Sequence, residues 1–68
     1  MTGEELKELR KDTNTTQSEI ADYLGYYTNG IPNRSVISRW EKGRTPINPR
    51  ISMLLAQFFK KIEEKETV

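Results

Sequence analysis

The chain has 68 residues, enough for one domain, and it contains neither cysteine nor histidine. Because these two side chains serve most metal sites, nucleophiles and proton shuttles near neutral pH, we expect no enzymatic activity, no metal site and no cofactor. The net charge of +1 is divided unevenly, with −3 in residues 1–25, +4 in residues 26–50 and zero in residues 51–68.

Two helix starts lie close together near the N-terminus. Thr2 and Glu5 have the spacing of a capping box, in which each side chain binds the backbone N–H group of the other residue. Thr16 and Glu19 repeat that spacing. We expect the first helix to end near residues 12–13, before Asn14, which tolerates a left-handed backbone. The second helix then follows after a short turn.

The end of the second helix is ambiguous in the sequence. Gly25 is one stop signal, and the turn pair formed by Asn29 and Gly30 is another. We favour the longer helix, because Tyr27 would continue the apolar face of its first turns. In that interpretation Ile31 packs inward ahead of the third helix.

The third helix is predicted over residues 33–42, from Asn33 as N-cap to a stop at Gly43. Its apolar side chains, among them Ile37 and Trp40, share one face and are assigned to the core. The opposite face is polar and basic, and it carries Arg34, Ser35, Ser38 and Arg39.

The fourth helix begins with Asn48 as cap and Pro49 at its first position. Apolar residues then recur at helical spacing as far as Ile62. Phe59 and Ile62 either supply a dimer face or complete the core. Residues 60–68 are predicted to be a charged helix end or tail, so the domain proper covers residues 1–59.

The order of these residues resembles the helix-turn-helix family of phage repressors and Cro proteins. The similarity covers residues 4–59, and its most specific part is residues 37–46, Ile-Ser-Arg-Trp-Glu-Lys-Gly-Arg-Thr-Pro. It implies an all-α fold, a compact bundle of four to five helices containing a helix-turn-helix. In that family the second and third helices bind double-stranded DNA.

The sequence departs from the family pattern in three ways. Eleven residues, 26–36, stand where the family has a much shorter segment, and this insertion lies in the turn before the third helix. Thr15 replaces the usual leucine, which predicts the loss of a core contact. A dimerisation segment after the fourth helix is also not recognisable.

The third helix is the predicted DNA-reading element. The N-terminal half of such a helix reaches base edges in the major groove. Its exposed positions and the resemblance together indicate base contacts from Arg34, Ser35, Ser38 and Arg39. The resemblance further implies sugar–phosphate contacts from Gln17, Asn33, Lys42 and Arg44. It also implies a partly buried ion pair between Arg10 and Glu41.

These features predict a sequence-specific transcriptional regulator of phage or bacterial type, acting on DNA as a homodimer. Residues 1–5 are mostly polar and include two glutamates, which is unlike a signal peptide. No apolar run approaches the roughly 18 residues of a membrane span. We therefore expect a protein of the bacterial cytoplasm with no membrane contact. An alternative stays open: an anti-repressor or modulator of the same fold, which binds a partner repressor protein.

Overall fold

The computed structural model describes the backbone of residues 1–66 and the side chains of residues 1–64. This part of the chain forms four helices and one small hairpin, which confirms the expected all-α class. The elements in chain order are α1 (Gly3–Asp12), α2 (Gln17–Leu24), β1 (Tyr27–Thr28), β2 (Ile31–Pro32), α3 (Arg34–Glu41) and α4 (Pro49–Glu66).

Local capping signals set the starts of the first two helices. Both predicted capping boxes are present, at Thr2 with Glu5 and at Thr16 with Glu19. Each threonine hydroxyl accepts a hydrogen bond from the glutamate N–H at 3.1 Å. The chain leaves α1 through Asn14, whose φ of 55° confirms the expected left-handed conformation. Short-range hydrogen bonding therefore defines this region.

The second helix is shorter than expected. It ends at Leu24 because Gly25 adopts a φ of 79°, a left-handed conformation that glycine takes at no steric cost. The N–H group of Gly25 donates to the carbonyl of Asp22 at 3.2 Å. The prediction that α2 continues through Tyr27 is therefore wrong, because the glycine stop outweighs one more apolar residue in register.

The residues after Gly25 form a β-hairpin. Strands β1 and β2 pair antiparallel, and the two residues between them have positive φ angles, 54° at Asn29 and 77° at Gly30. Positive φ at both positions is the requirement of a type I′ turn, whose twist matches that of the strands. Ile31 is 67% exposed and Tyr27 is 49% exposed, so the expectation that Ile31 packs inward is also wrong.

Three contacts fix this hairpin to the helices around it. The N–H group of Asn33 donates to the carbonyl of Tyr26 at 2.8 Å, which closes the hairpin at its base. The ring of Tyr26 packs edge-on against Trp40, with 5.8 Å between centroids. The hydroxyl of Tyr27 donates to the carboxylate of Asp22 on α2. The residues inserted relative to the family pattern thus form a hairpin at the surface, while α2 and α3 pack directly on each other.

All four helices contribute to one core. Its buried apolar side chains are Leu6, Ile20, Ala21, Ile37, Trp40, Leu55 and Phe59. Phe59 is only 2% exposed, and the half-buried Ile62 packs against the same cluster. Of the two explanations left open for these residues, completion of the core is therefore the one that the structure supports.

Thr15, at the position of the family's leucine, is buried with its hydroxyl satisfied. The hydroxyl of Thr13 donates to the carbonyl of Leu9 at 2.7 Å. Thr13 and Thr15 also share a hydrogen bond of 2.7 Å, in which Thr15 is the donor because the Thr13 proton is already committed. A buried hydroxyl with a partner costs little. Thr15 therefore stays in the protein interior.

The fourth helix begins as the sequence predicts. The side chain of Asn48 accepts a hydrogen bond from the N–H group of Ile51 at 2.8 Å, and Pro49 takes the first helical position. The helix continues to Glu66, so residues 60–66 of the predicted charged segment are helical. Residues 67–68 lie outside the described residues.

Gly3 lies where the first turn of α1 meets the last turn of α3. A Cβ atom at this position would overlap the carbonyl oxygen of Trp40, which belongs to the backbone and cannot rotate away. The two helices approach this closely because residue 3 has no side chain.

We therefore expect Gly3→Ala to destabilise the fold, although alanine favours a helix by up to about 1 kcal/mol over glycine. The clash should dominate and lower the free energy of unfolding by about 1–3 kcal/mol, the usual cost of overpacking. Urea denaturation followed by circular dichroism measures this change. The exposed Glu8→Ala on the same helix is the control, expected to stay within about 0.5 kcal/mol of the parent. A Gly3→Ala variant more stable than the parent would contradict the close contact.

Candidate nucleic-acid interface

The predicted DNA-reading helix α3 has one buried and one exposed face. Its N-cap is Asn33, whose side chain accepts a hydrogen bond from the Ser35 N–H group at 3.1 Å. Ile37 and Trp40 are buried, whereas Arg34 and Arg39 are exposed. The amphipathic spacing of the sequence therefore directs the two guanidinium groups away from the core.

Five side chains from α2 and α3 line one shallow depression, which we call the α3 surface. They are Gln17, Arg34, Ser35, Ser38 and Arg39. The four predicted base-contacting residues thus share one surface with a predicted phosphate contact. In the part of the chain with described side chains, the guanidinium groups of Arg34 and Arg39 make no hydrogen bond or ion pair. Both groups are available to a ligand.

The other three predicted phosphate contacts do not line the α3 surface. Asn33 lies beside it, but its side-chain oxygen is engaged in capping α3. Lys42 and Arg44 are exposed beyond the other end of the helix. Eight residues at 1.5 Å each place Lys42 about 12 Å along the axis from Arg34. A ligand that contacts all of these residues must extend along the whole helix.

A second depression adjoins the α3 surface and adds residues that the sequence did not single out. Lys11, Asn14 and Ser18 line it together with Arg34 and Gln17, which border both depressions. No sequence pattern places the cationic Lys11 in the site, because its position on α1 predicts only that it faces solvent. It enters the candidate site because the fold places the end of α1 at the same depression as residues of α2 and α3.

An ion pair joins α1 to the end of α3 and also holds Gln17. Arg10 donates to the two carboxylate oxygens of Glu41, from Nε at 2.7 Å and from Nη2 at 3.0 Å. Gln17 donates from Nε2 to Oε1 of the same carboxylate at 3.2 Å. Glu41 is 7% exposed and Arg10 is 20% exposed. One carboxylate therefore ties together three helices.

This ion pair changes the electrostatics of the middle segment. Glu41 is the one acidic residue among residues 26–50, which also hold five basic residues. Arg10 compensates its charge, so the basic residues of that segment face solvent without a neighbouring free carboxylate from it. The hydrogen bond to Glu41 raises the pKa of Arg10, burial lowers it, and the charge of Glu41 raises it further. The direction of this pKa shift reflects the contact with Glu41, and an arginine is charged throughout the neutral pH range in any case.

Comparison with known families agrees with this arrangement. Residues 6–66 match the family model described as helix-turn-helix. This chain belongs to the helix-turn-helix family of phage repressors and Cro proteins. No curated protein and no solved structure shows a significant match to it. The helix-turn-helix of this protein is α2 and α3, with the hairpin in place of the usual turn.

Membership of the helix-turn-helix family makes the protein a DNA-binding regulator, and double-stranded DNA is its ligand. The α3 surface agrees with that assignment, since it combines hydroxyl and amide groups with two guanidinium groups that have no partner among the described side chains. Within residues 1–66, no helix is long and apolar enough to cross a membrane.

The ion pair predicts a specific pattern of stability changes. Removing one partner of a buried pair costs about 3–5 kcal/mol, since the other charge is left without its partner. Because Arg10 is partly exposed, we expect Arg10→Met to lower the free energy of unfolding by an amount near the lower end of that range. Urea denaturation of the helix-turn-helix protein measures the loss.

The double variant Arg10→Met/Glu41→Met is the informative control. Replacing both charges by apolar groups removes the unpaired carboxylate, so the double variant should be more stable than Arg10→Met alone. Losses that simply add in the double variant would show that the two side chains do not act as a pair.

Proposed function

We propose that this helix-turn-helix protein is a sequence-specific transcriptional regulator of phage or bacterial type, with α3 in the major groove. The observation that carries the proposal is the α3 surface, on which Arg34 and Arg39 are exposed and unpaired among the described side chains. The one carboxylate of α3, that of Glu41, is meanwhile held by Arg10. A negatively charged duplex thus meets two cationic side chains on this face, while the carboxylate of α3 is engaged elsewhere.

The residues of the α3 surface fit distinct tasks in that complex. An arginine can donate two hydrogen bonds to O6 and N7 of guanine, which discriminates against other bases by about 1–3 kcal/mol. We assign this task to Arg34 and Arg39, with shorter-range base contacts from Ser35 and Ser38. Sugar–phosphate contacts, which position the protein without reading sequence, are assigned to Gln17, Asn33, Lys42 and Arg44.

A single α3 reads few base pairs, so we propose that two copies bind half-sites one helical turn apart. Phe59 is buried in the core of its own chain, so the proposed contact between the two copies uses other residues. The expected place of action is the cytoplasm of a bacterial host cell, where the operator DNA lies.

Selection from a random duplex library tests the central proposal. We expect an enriched motif with guanines at the positions read by arginine, repeated with two-fold symmetry about 10 base pairs apart. Affinity for the selected duplex should fall steeply with salt, with a log–log slope of about −0.9 for each phosphate neutralised. Enrichment of no motif, with no duplex bound at low salt, would contradict the proposal. Co-elution with a repressor protein in that case would favour the modulator instead.

Two substitutions should separate base reading from phosphate binding. Arg39→Ala should reduce the preference for the selected base at one position by about 1–3 kcal/mol, and it should weaken binding to unrelated duplexes no more than Lys42→Ala does. Lys42→Ala should weaken binding to all sequences alike and reduce the salt slope by about 1. Fluorescence anisotropy with selected and scrambled duplexes measures both effects. Lys60→Ala, at an exposed position in the second half of α4, removes the same charge and serves as control. Equal behaviour of the Arg39 and Lys42 variants would refute the assigned roles.

A further inference from the structure

We infer that the hairpin is a second DNA-contacting element. Its tip, residues 28–31, lies against the sugar–phosphate backbone at the groove edge where the N-terminus of α3 enters. The inference rests on the proposed function, since it assumes that α3 occupies the major groove. It adds a contact from a segment that stands in place of the short turn of the helix-turn-helix.

The hairpin is attached to the N-terminus of α3. Its base is closed by the hydrogen bond from the N–H group of Asn33 to the carbonyl of Tyr26, at 2.8 Å, and Asn33 is also the N-cap of α3. Two residues per strand at roughly 3.4 Å each, plus the turn, extend the tip about 10 Å from that base. The hairpin tip therefore stays within about 10 Å of the helix end that reads bases.

The width of the major groove limits where the hairpin can lie. The major groove is about 12 Å wide, and an α-helix with its side chains is about 10–12 Å across, so α3 fills it. No space remains inside the groove for a hairpin beside the helix. A hairpin that approaches the duplex from the N-cap of α3 therefore meets the groove edge, which is a row of phosphates. The tip is brought to the backbone by the same docking that inserts α3.

The hairpin itself carries no negative charge. No aspartate or glutamate occurs from Tyr23 to Trp40, and the carboxylate of Asp22, which contacts the hairpin, accepts a hydrogen bond from the Tyr27 hydroxyl. Thr28 and Asn29 at the tip are exposed, and their side chains make no hydrogen bond within the described part of the chain. A hydroxyl and an amide are the neutral donors that proteins commonly direct at phosphate oxygens.

The hairpin is also held in one conformation before DNA arrives. Its type I′ turn has the φ angles that this turn requires, and the Tyr27 hydroxyl binds Asp22 on α2. A segment that is already ordered loses little conformational entropy on binding. A protein partner is the less favoured occupant, because a two-residue-per-strand hairpin offers far less than the roughly 800 Å² per partner that stable protein interfaces bury.

A pair of charge substitutions at Thr28 tests the contact with the duplex selected from the random library. Thr28→Lys places a cation at the tip, and it should tighten binding about fivefold at low salt and steepen the salt slope by about 0.9. Thr28→Glu should weaken binding by a similar factor, because the carboxylate meets phosphates. Gln57→Lys and Gln57→Glu make the same charge changes at an exposed position in the middle of α4 and serve as matched controls. They should change affinity less than about twofold.

Duplexes with one neutral methylphosphonate linkage then locate the contact. The gain from Thr28→Lys should disappear when the neutral linkage lies at the groove edge beside the α3 half-site, and persist when it lies elsewhere. If the Thr28 variants behave like the Gln57 variants while the parent protein binds its selected duplex, the hairpin inference is overturned and the proposed function stands. If the parent protein selects and binds no duplex, both fail together. Circular dichroism of the Thr28 variants checks that the fold is retained.

Discussion

The carboxylate of Glu41 is the contact on which the arrangement of the helix-turn-helix depends. It accepts hydrogen bonds from Arg10 on α1 and from Gln17 on α2, while its own backbone ends α3. The energetic gain from such a pair is limited, because desolvation of both charges offsets much of their attraction. Its main effect is geometric. Three helices are fixed relative to one another by one side chain, and the acidic group of α3 is withdrawn from the face that the arginines occupy.

The lengthened turn shows how the helix pair accepts extra residues without being displaced. The chain leaves α2 at Gly25, makes a hairpin and returns, and the Tyr26–Asn33 hydrogen bond brings the two ends of the excursion together. Tyr26 then packs against Trp40 of α3, which supplies an aromatic contact between the turn and the core. α2 thus packs directly on α3 although the segment that joins them is long. What changes is the surface beside the start of α3.

The sequence predicted well those features that depend on near neighbours in the chain. The capping boxes at Thr16 and Thr2, the left-handed Asn14 and the cap of α3 all rest on contacts within a few residues. The longer α2 was wrong because two stop signals competed, and periodicity could not tell a hairpin turn from a helix end. The close approach at Gly3 and the place of Lys11 beside Arg34 could not be predicted, because both arise from contacts between separate helices.

The small net charge bears on how this protein finds a specific site. Non-specific attraction to DNA grows with the number of phosphates that a protein neutralises, and a total of +1 supplies little long-range attraction. Residues 1–25 carry a net charge of −3 and residues 26–50 a net charge of +4. A duplex is therefore attracted by the second segment and repelled by the first. Under the proposed function, binding then depends more on short-range contacts from α3, which require the correct base sequence. The neutral donors that we propose at the hairpin tip would add backbone contacts without adding charge, and they would position α3 without reading sequence themselves.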